Sequence, residues 1–219
     1  MKKYPDYKIP KWEKRKETII KGMQYDYDEI DLLKSDYLNG KIDEVKYYVL
    51  LALCLNSLAE DEFIQGNYKK CYDCISKEVE NFAFAVKLLS EGKDTTRVTR
   101  INIENKINGG YCGYLALVTS NYDVIPQVTR PDSDILQMLS HNIINQDTGE
   151  PIIEMMNAIN LKDSERFENA LIKRIKEIRK FDIEHFRCMD VFSIGLIKEA
   201  QKNGLSFYCN YIEVDLQER

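Results

Sequence analysis

The sequence predicts an all-α fold: one domain over residues 1–219, built of stacked antiparallel helix pairs behind an extended arm at residues 1–10. Three observations carry this. Apolar residues recur at spacings of three and four over most of the chain, the period of a helix with one buried face. Only 10 glycines and 5 prolines occur, and most fall between the periodic stretches, where helices start and stop. Hydrophobic residues make up 44% and charged residues 31%, enough apolar surface for a core and too much for a disordered chain.

Along the chain, the arm leads into a first helix near Pro10, since proline suits an early helical position. Through Lys21 the sequence holds eight basic and three acidic residues, whereas residues 25–44 hold seven acids against Lys34 and Lys41. Opposite charge predicts a basic first helix lying against or close to an acidic second one, which Asn39-Gly40 ends. Residues 42–63 are too densely apolar for one stripe and predict the central helix, buried on most of its circumference. Gly66-Asn67 ends it, and a helix over 68–89 follows, with Cys71, Ile75, Val79, Phe82 and Val86 on one face. So short a connection makes the two antiparallel neighbours.

Residues 93–108 change character. Thr96, Val98, Ile101 and Ile103 stand among polar residues with a period near two, which predicts an extended connection and allows a short β pairing with residues 205–214. Gly109-Gly110 opens a helix over 111–121, and Asp132 or Ser133 caps a short one over 132–142. Pro151 fits the first position of the next. Asp163 caps a surface helix whose Phe167, Leu171, Ile175 and Ile178 share one face, and a last helix over 190–202 stops at Asn203-Gly204. Three helix–turn–helix units can be traced without a shared period, so a tetratricopeptide-like array is the alternative architecture.

Chemistry is sparse. A net charge of −5 and a pI near 5.3 argue against a nucleic-acid partner. The most hydrophobic run, residues 47–59, is short of the ~18–20 residues a membrane crossing needs. No apolar segment follows the basic start, so a cytoplasmic setting with no membrane partner is expected, and the six cysteines read as reduced thiols. A Ser-His-Asp or Cys-His hydrolase would need His141 or His185 as its base. His185 lies three residues before Cys188, a helical spacing that puts both on one face, yet no nucleophile elbow or glycine-rich oxyanion site surrounds them. Cys71-x-x-Cys74 lies in an amphipathic helix preceded by another helix, away from the strand–helix junction of a redox centre, and as half a zinc site it needs His185 and Cys188 to complete it. Asp26-x-Asp28-x-x-Asp31 lacks the glycine and closing glutamate of an EF-hand loop, and Gly109-Gly110-x-x-Gly113 lacks the lysine of a P-loop. We therefore expect no catalytic residue, no metal site and no cofactor.

Tyrosine stands out, with 14 copies against 8 Phe and 1 Trp. Its ring buries while its hydroxyl stays hydrogen-bonded, which suits recognition surfaces. Tyr25 and Tyr27 interleave with Asp26, Asp28 and Asp31, and these five are the candidate partner-binding residues. In the second half a helix ends at the acidic turn Leu161-Lys162-Asp163, Arg166-Phe167-x-x-Ala170-Leu171 opens the next, and after Gly204-Leu205 comes the closing segment 207–216. This stretch resembles the bacterial polymorphic-toxin immunity proteins, in particular immunity family forty-nine. The resemblance implies an all-helical, non-enzymatic protein that binds and neutralises a cognate toxin stoichiometrically. Many such toxins are basic nucleases, which an acidic inhibitor attracts by electrostatic steering. A tetratricopeptide-like adaptor that binds a peptide or protein is the alternative function.

Overall fold

Helix ends set where this chain reverses. The computed structural model describes residues 16–144, 149–178 and 189–207; helices hold 78% of them and no strand occurs among them. α1 (Lys16–Leu38), α2 (Glu44–Ile64) and α3 (Tyr68–Ser90) run antiparallel in succession. Between α2 and α3, Gly66 takes φ 76°, and the Asn67 N–H then reaches back to the Glu62 carbonyl at 2.9 Å. A residue with a Cβ pays steric strain in that left-handed conformation. The same six-residue closure follows Asn39-Gly40 and Asn203-Gly204, both turns visible in the sequence, and Glu91-Gly92. Three further helices close the same way on residues with side chains: Ser120, His141 and Lys162, at φ 57°, 59° and 54°. His141 is thus an exposed turn residue.

α4 (Arg97–Gly109) corrects the extended connection expected at residues 93–108. Thr96 is its N-cap, its hydroxyl accepting from the Thr99 N–H at 3.3 Å. In helical register Thr99 and Ile103 face inward, while Val98 and Ile101 are exposed, so the apparent alternation carried no burial. A lone strand leaves its backbone groups unpaired; a helix satisfies them internally. The β pairing is absent within the described part of residues 205–214, and positions 208–214 lie outside it. α1 brings a second correction: the basic and acidic stretches from Lys16 to Leu38 form one continuous helix, because a change of charge sign is not a helix stop. The arm at residues 1–10 lies outside the described residues.

α5 (Tyr111–Val118) is the helix buried all round, with every residue from Cys112 to Val118 buried. It displaces the 42–63 helix from the central place expected for it: α2 is covered by α1, α3 and α4 but leaves Leu53 exposed and Leu51 only half-buried. A single 3-10 turn at Tyr122–Val124 leads through α6 (Ile125–Val128) to α7 (Asp134–Leu139). α8 (Pro151–Leu161) and α9 (Ser164–Ile178) form the second antiparallel pair, and α10 (Val191–Lys202) returns to pack on both α5 and α8. Pro151 opens α8, and the Asp163 carboxylate accepts from the Arg166 N–H at 2.9 Å to open α9, as expected. Phe167, Leu171, Ile175 and Ile178 are all buried. One core gathers α5 to α10 against the α2–α3 turn; a smaller one joins the far ends of α2 and α3 to α4, with Cys112 of α5 in it.

Buried charges are paired where the helices cross. Glu78 on α3, fully inaccessible, accepts from Asn56 Nδ2 of α2 at 2.9 Å and faces Lys106 Nζ of α4 at 3.5 Å. Lys106 also lies over the Phe82 ring. Asp190 at the start of α10 receives Arg174 Nε at 3.2 Å and the Ser193 hydroxyl at 2.6 Å. Removing one partner of such a pair strands the other charge away from water. Lys106→Met alone is expected to cost about 3 kcal/mol in urea denaturation, and adding Glu78→Gln to recover more than half of it.

Gly195 sets how closely α10 approaches α5. A Cβ there would stand 3.0 Å from the Tyr114 carbonyl oxygen and 3.1 Å from Leu117 Cβ, both on the buried helix. Gly195→Ala is expected to lose about 1–3 kcal/mol through this overpacking. A melting temperature lowered by roughly 3–10 °C is the corresponding reading for a chain of this size.

Candidate functional site

α1 is attached to the rest of the protein chiefly through α2. Of its 23 residues only Ile19 and Leu33 among the described hydrophobics are fully buried, and Asp26, Glu29 and Ile30 are half-buried beside them. Its helical geometry therefore separates the five candidate residues. Asp28 and Asp31, one turn apart, face solvent, and Gln24 Nε2 donates to Asp28 Oδ1 at 2.8 Å. Tyr25 (67% exposed) and Leu32 (51%) form one flank of this acidic face, and Ile20 (59%) and Tyr27 (46%) form the other. Tyr27 lies towards the start of α3, where burial and then the Glu62 carboxylate push its phenol above the ordinary value.

Asp26 belongs to the seam with α2 instead. It stands close enough to Cys54 and Asp61 to raise both groups. Burial, then Asp26, then Glu62 push the Asp61 carboxyl up to about 6, and among the described residues no cation is paired with it. Gly22 of α1 leaves room for the Asp61 carboxylate, whose Oδ2 would be 3.7 Å from a Cβ at that position.

Three thiols within the described residues, Cys54, Cys71 and Cys74, are pushed towards their protonated form. Burial pushes Cys54 and Cys74 up to about 11, and Cys71, wholly inaccessible with its Sγ 3.7 Å from Met189 Sδ, higher still. A thiolate is the reactive and metal-binding form, and none of these three sites favours it. His185 and Cys188 lie outside the described residues. Among the described residues no group of three or more His, Cys, Asp or Glu is arranged to hold a metal ion, and no helix is long and apolar enough to cross a membrane.

Two grooves are lined by described residues. One, about 480 Å3, runs between α8 and α9; its Arg166 is paired with Glu154 at 2.7 Å, and its Lys173 donates to the Gly149 carbonyl. The other, about 300 Å3, lies between the Gly109-Gly110 junction of α4 and α5 and the segment Arg130–Ile135. Arg130 and Asp132 on its rim form a two-point pair at 2.9 and 2.6 Å. Beside them are Ser133, whose Oγ is buried, and Asp134; among the described residues neither the Ser133 Oγ has a hydrogen bond nor Asp134 an ion pair. Burial, Glu150 and Asp132 raise the Asp134 carboxyl above the ordinary value. Tyr114 forms part of the floor, its ring 4.6 Å from that of Phe192. The sequence marks Asp132 and Ser133 only as helix caps. No cap hydrogen bond is made by the Ser133 side chain, and Asp132 is engaged by Arg130. This groove joins residues some twenty positions apart, so no local motif announced it.

Comparison with protein-family models, with curated proteins and with solved structures finds no match for this chain.

Asp61 gives the seam a pH dependence with a definite sign. A carboxyl raised in the folded state contributes stability that is full below its unfolded value, near ~4, and lost as pH rises through about 6. Above that, an ionised Asp61 faces Asp26 and Glu62 unpaired. Because Asn mimics the protonated form, Asp61→Asn is expected to raise stability at pH 8 by about 1 kcal/mol, and hardly at all at pH 4.5. Thermal melts of both proteins across this range check the sign.

Proposed function

We propose that this chain is a non-catalytic inhibitor, an immunity protein that binds a cognate bacterial toxin stoichiometrically through the outer face of α1. The observation that carries the reading is the make-up of that face. Asp28 and Asp31 are exposed on a helix held from one side, between flanks where Tyr25, Leu32, Ile20 and Tyr27 stand open to solvent. Acidic groups steer a basic partner and set its orientation, and large rigid rings beside them supply the anchors that dominate interface energies. The net charge of −5 favours the same class of partner, a basic protein such as a nuclease, over nucleic acid or an anionic membrane. The protonated thiols and the lack of a metal-ligand cluster among the described residues agree with a binding role. The resemblance of residues 160–216 to immunity proteins adds the kind of partner.

The adaptor reading has less support. A tetratricopeptide-like solenoid touches only its neighbours and leaves a concave groove, whereas α10 here returns across α5 and α8.

Two measurements test the proposal. Co-expression with a toxic effector drawn from the adjacent genes should restore growth to cells that the effector alone arrests; arrest left unrelieved by this chain for every such effector refutes inhibition. The double substitution Asp28→Lys, Asp31→Lys should slow association with that effector by about ten-fold or more and flatten its salt dependence, while leaving the melting temperature within about 2 °C. Asp26 is left intact in this variant because it is part of the α1–α2 seam. An unchanged association rate would place the interface elsewhere.

A further inference from the structure

We propose that the groove between the Gly109-Gly110 junction and segment Arg130–Ile135 is a binding site for an organic cation of the alkylguanidinium or alkylammonium class, with Asp134 as its counter-ion and Ser133 and Tyr114 as its hydrogen-bonding partners. The first argument is an unmet hydrogen bond in a built cavity. Ser133 lines the groove, and its Oγ is buried with no hydrogen-bond partner among the described residues. An unpaired polar group held away from water is costly. Tyr114, a phenol that can accept as well as donate, lines the same groove. An orphaned hydroxyl and a phenol beside one cavity of about 300 Å3 describe a place where a polar group is received.

Charge decides the sign of that group. Arg130 is already neutralised by Asp132 through two short bonds, which leaves Asp134 as the unpaired charge of the lining. The helix ends do not alter this balance: the negative C-terminal end of α4 and the positive N-terminal end of α5 meet at the same glycine, Gly110, and oppose each other. An anion would therefore meet an unscreened carboxylate. A metal dication lacks a ligand set, since no three acids are arranged around one point among the described residues. An organic cation with several N–H donors fits what remains: one carboxylate oxygen pair to neutralise it and two hydroxyls to accept its hydrogens. Arg130 on Asp132 shows the same chemistry made by the chain's own guanidinium on the rim.

The cation has two sources, a free small molecule or an Arg or Lys side chain of a protein, and the proposal does not depend on the role given to α1. The test uses the whole chain and agmatine as the probe, followed by amide chemical-shift titration. Shifts should centre on Gly109, Gly110 and residues 130–135 and saturate. Asp134→Asn should weaken binding at least ten-fold and Tyr114→Phe about three- to five-fold, the loss of one hydrogen bond. Ser133→Ala provides an independent variant should Tyr114→Phe disturb the core. A Gly-Arg-Gly peptide binding as tightly as agmatine assigns the site to a partner's side chain; agmatine binding without the peptide assigns it to a free cation. Shifts at these amides with inorganic phosphate but not agmatine, affinity unchanged in Asp134→Asn, or shifts scattered over the acidic surface would each overturn the proposal.

Discussion

Burying an eight-residue helix on every side is the constraint on which the rest of this structure depends. α5 has seven consecutive buried residues, so the free backbone groups at its ends have little access to water and are met by protein. At its C-terminal end the Thr119 hydroxyl bonds back to the Leu115 and Ala116 carbonyls, Lys198 Nζ of α10 donates to the Val118 carbonyl at 2.7 Å, and the Tyr72 hydroxyl of α3 reaches the Thr119 carbonyl at 3.2 Å. Its N-terminal end is joined to α4 by the left-handed Gly110, and the Tyr111 hydroxyl there meets Asn56 of α2 at 3.3 Å. Three other long helices are thus tied to α5 by polar contacts before any apolar packing is considered.

Close approach follows from the same requirement. Gly195 brings α10 against the Tyr114 carbonyl, and Gly113 lets Thr129 Cγ2 and Ile135 Cδ1 press on the other side, where a Cβ would stand 2.5 and 3.3 Å from them. The glycines in these two helices act by what they lack, which is volume. Around this plug, buried acids are paired: Glu78 with Asn56 and Lys106, Asp190 with Arg174 and Ser193, Glu199 with Tyr122 and Asn203. The exceptions lie at the periphery. Asp61 and Asp26 face each other along the α1 seam, and Asp134 faces a groove, all three without a cation among the described residues. Unpaired charge that a core would not tolerate is kept where it is only partly buried.

The amino-acid sequence by itself determined the helical class, the antiparallel α2–α3 and α8–α9 pairs, and their ends. It did so because these are short-range effects: Asn39-Gly40, Gly66-Asn67 and Asn203-Gly204 mark left-handed closures, Pro151 and Asp163 mark starts, and the Phe167–Leu171–Ile175–Ile178 stripe repeats within one helix. Where local pattern misled, a longer-range term prevailed. The β-branched alternation at residues 93–108 gave way to a helix because its backbone had no strand to pair with, and Thr96 offered a cap. The charge reversal along α1 favours attraction between two stretches but does not turn the chain; no closure interrupts Lys16–Leu38.

Only the tertiary structure decided which helix sits at the centre and which residues meet. Apolar density in residues 42–63 exceeds what one stripe needs, yet burial depends on how many neighbours an element has, and α5, shorter and less conspicuous, has them on all sides. The five candidate residues on α1 are contiguous in sequence, but a 100° step per residue sends Asp26 into the seam, Asp28 and Asp31 outward, and the two tyrosines to opposite flanks. The groove at Tyr114, Ser133 and Asp134 has no sequence signature at all. Its residues come together because α5 must be covered by the segment that follows it, a contact set by packing and invisible to periodicity.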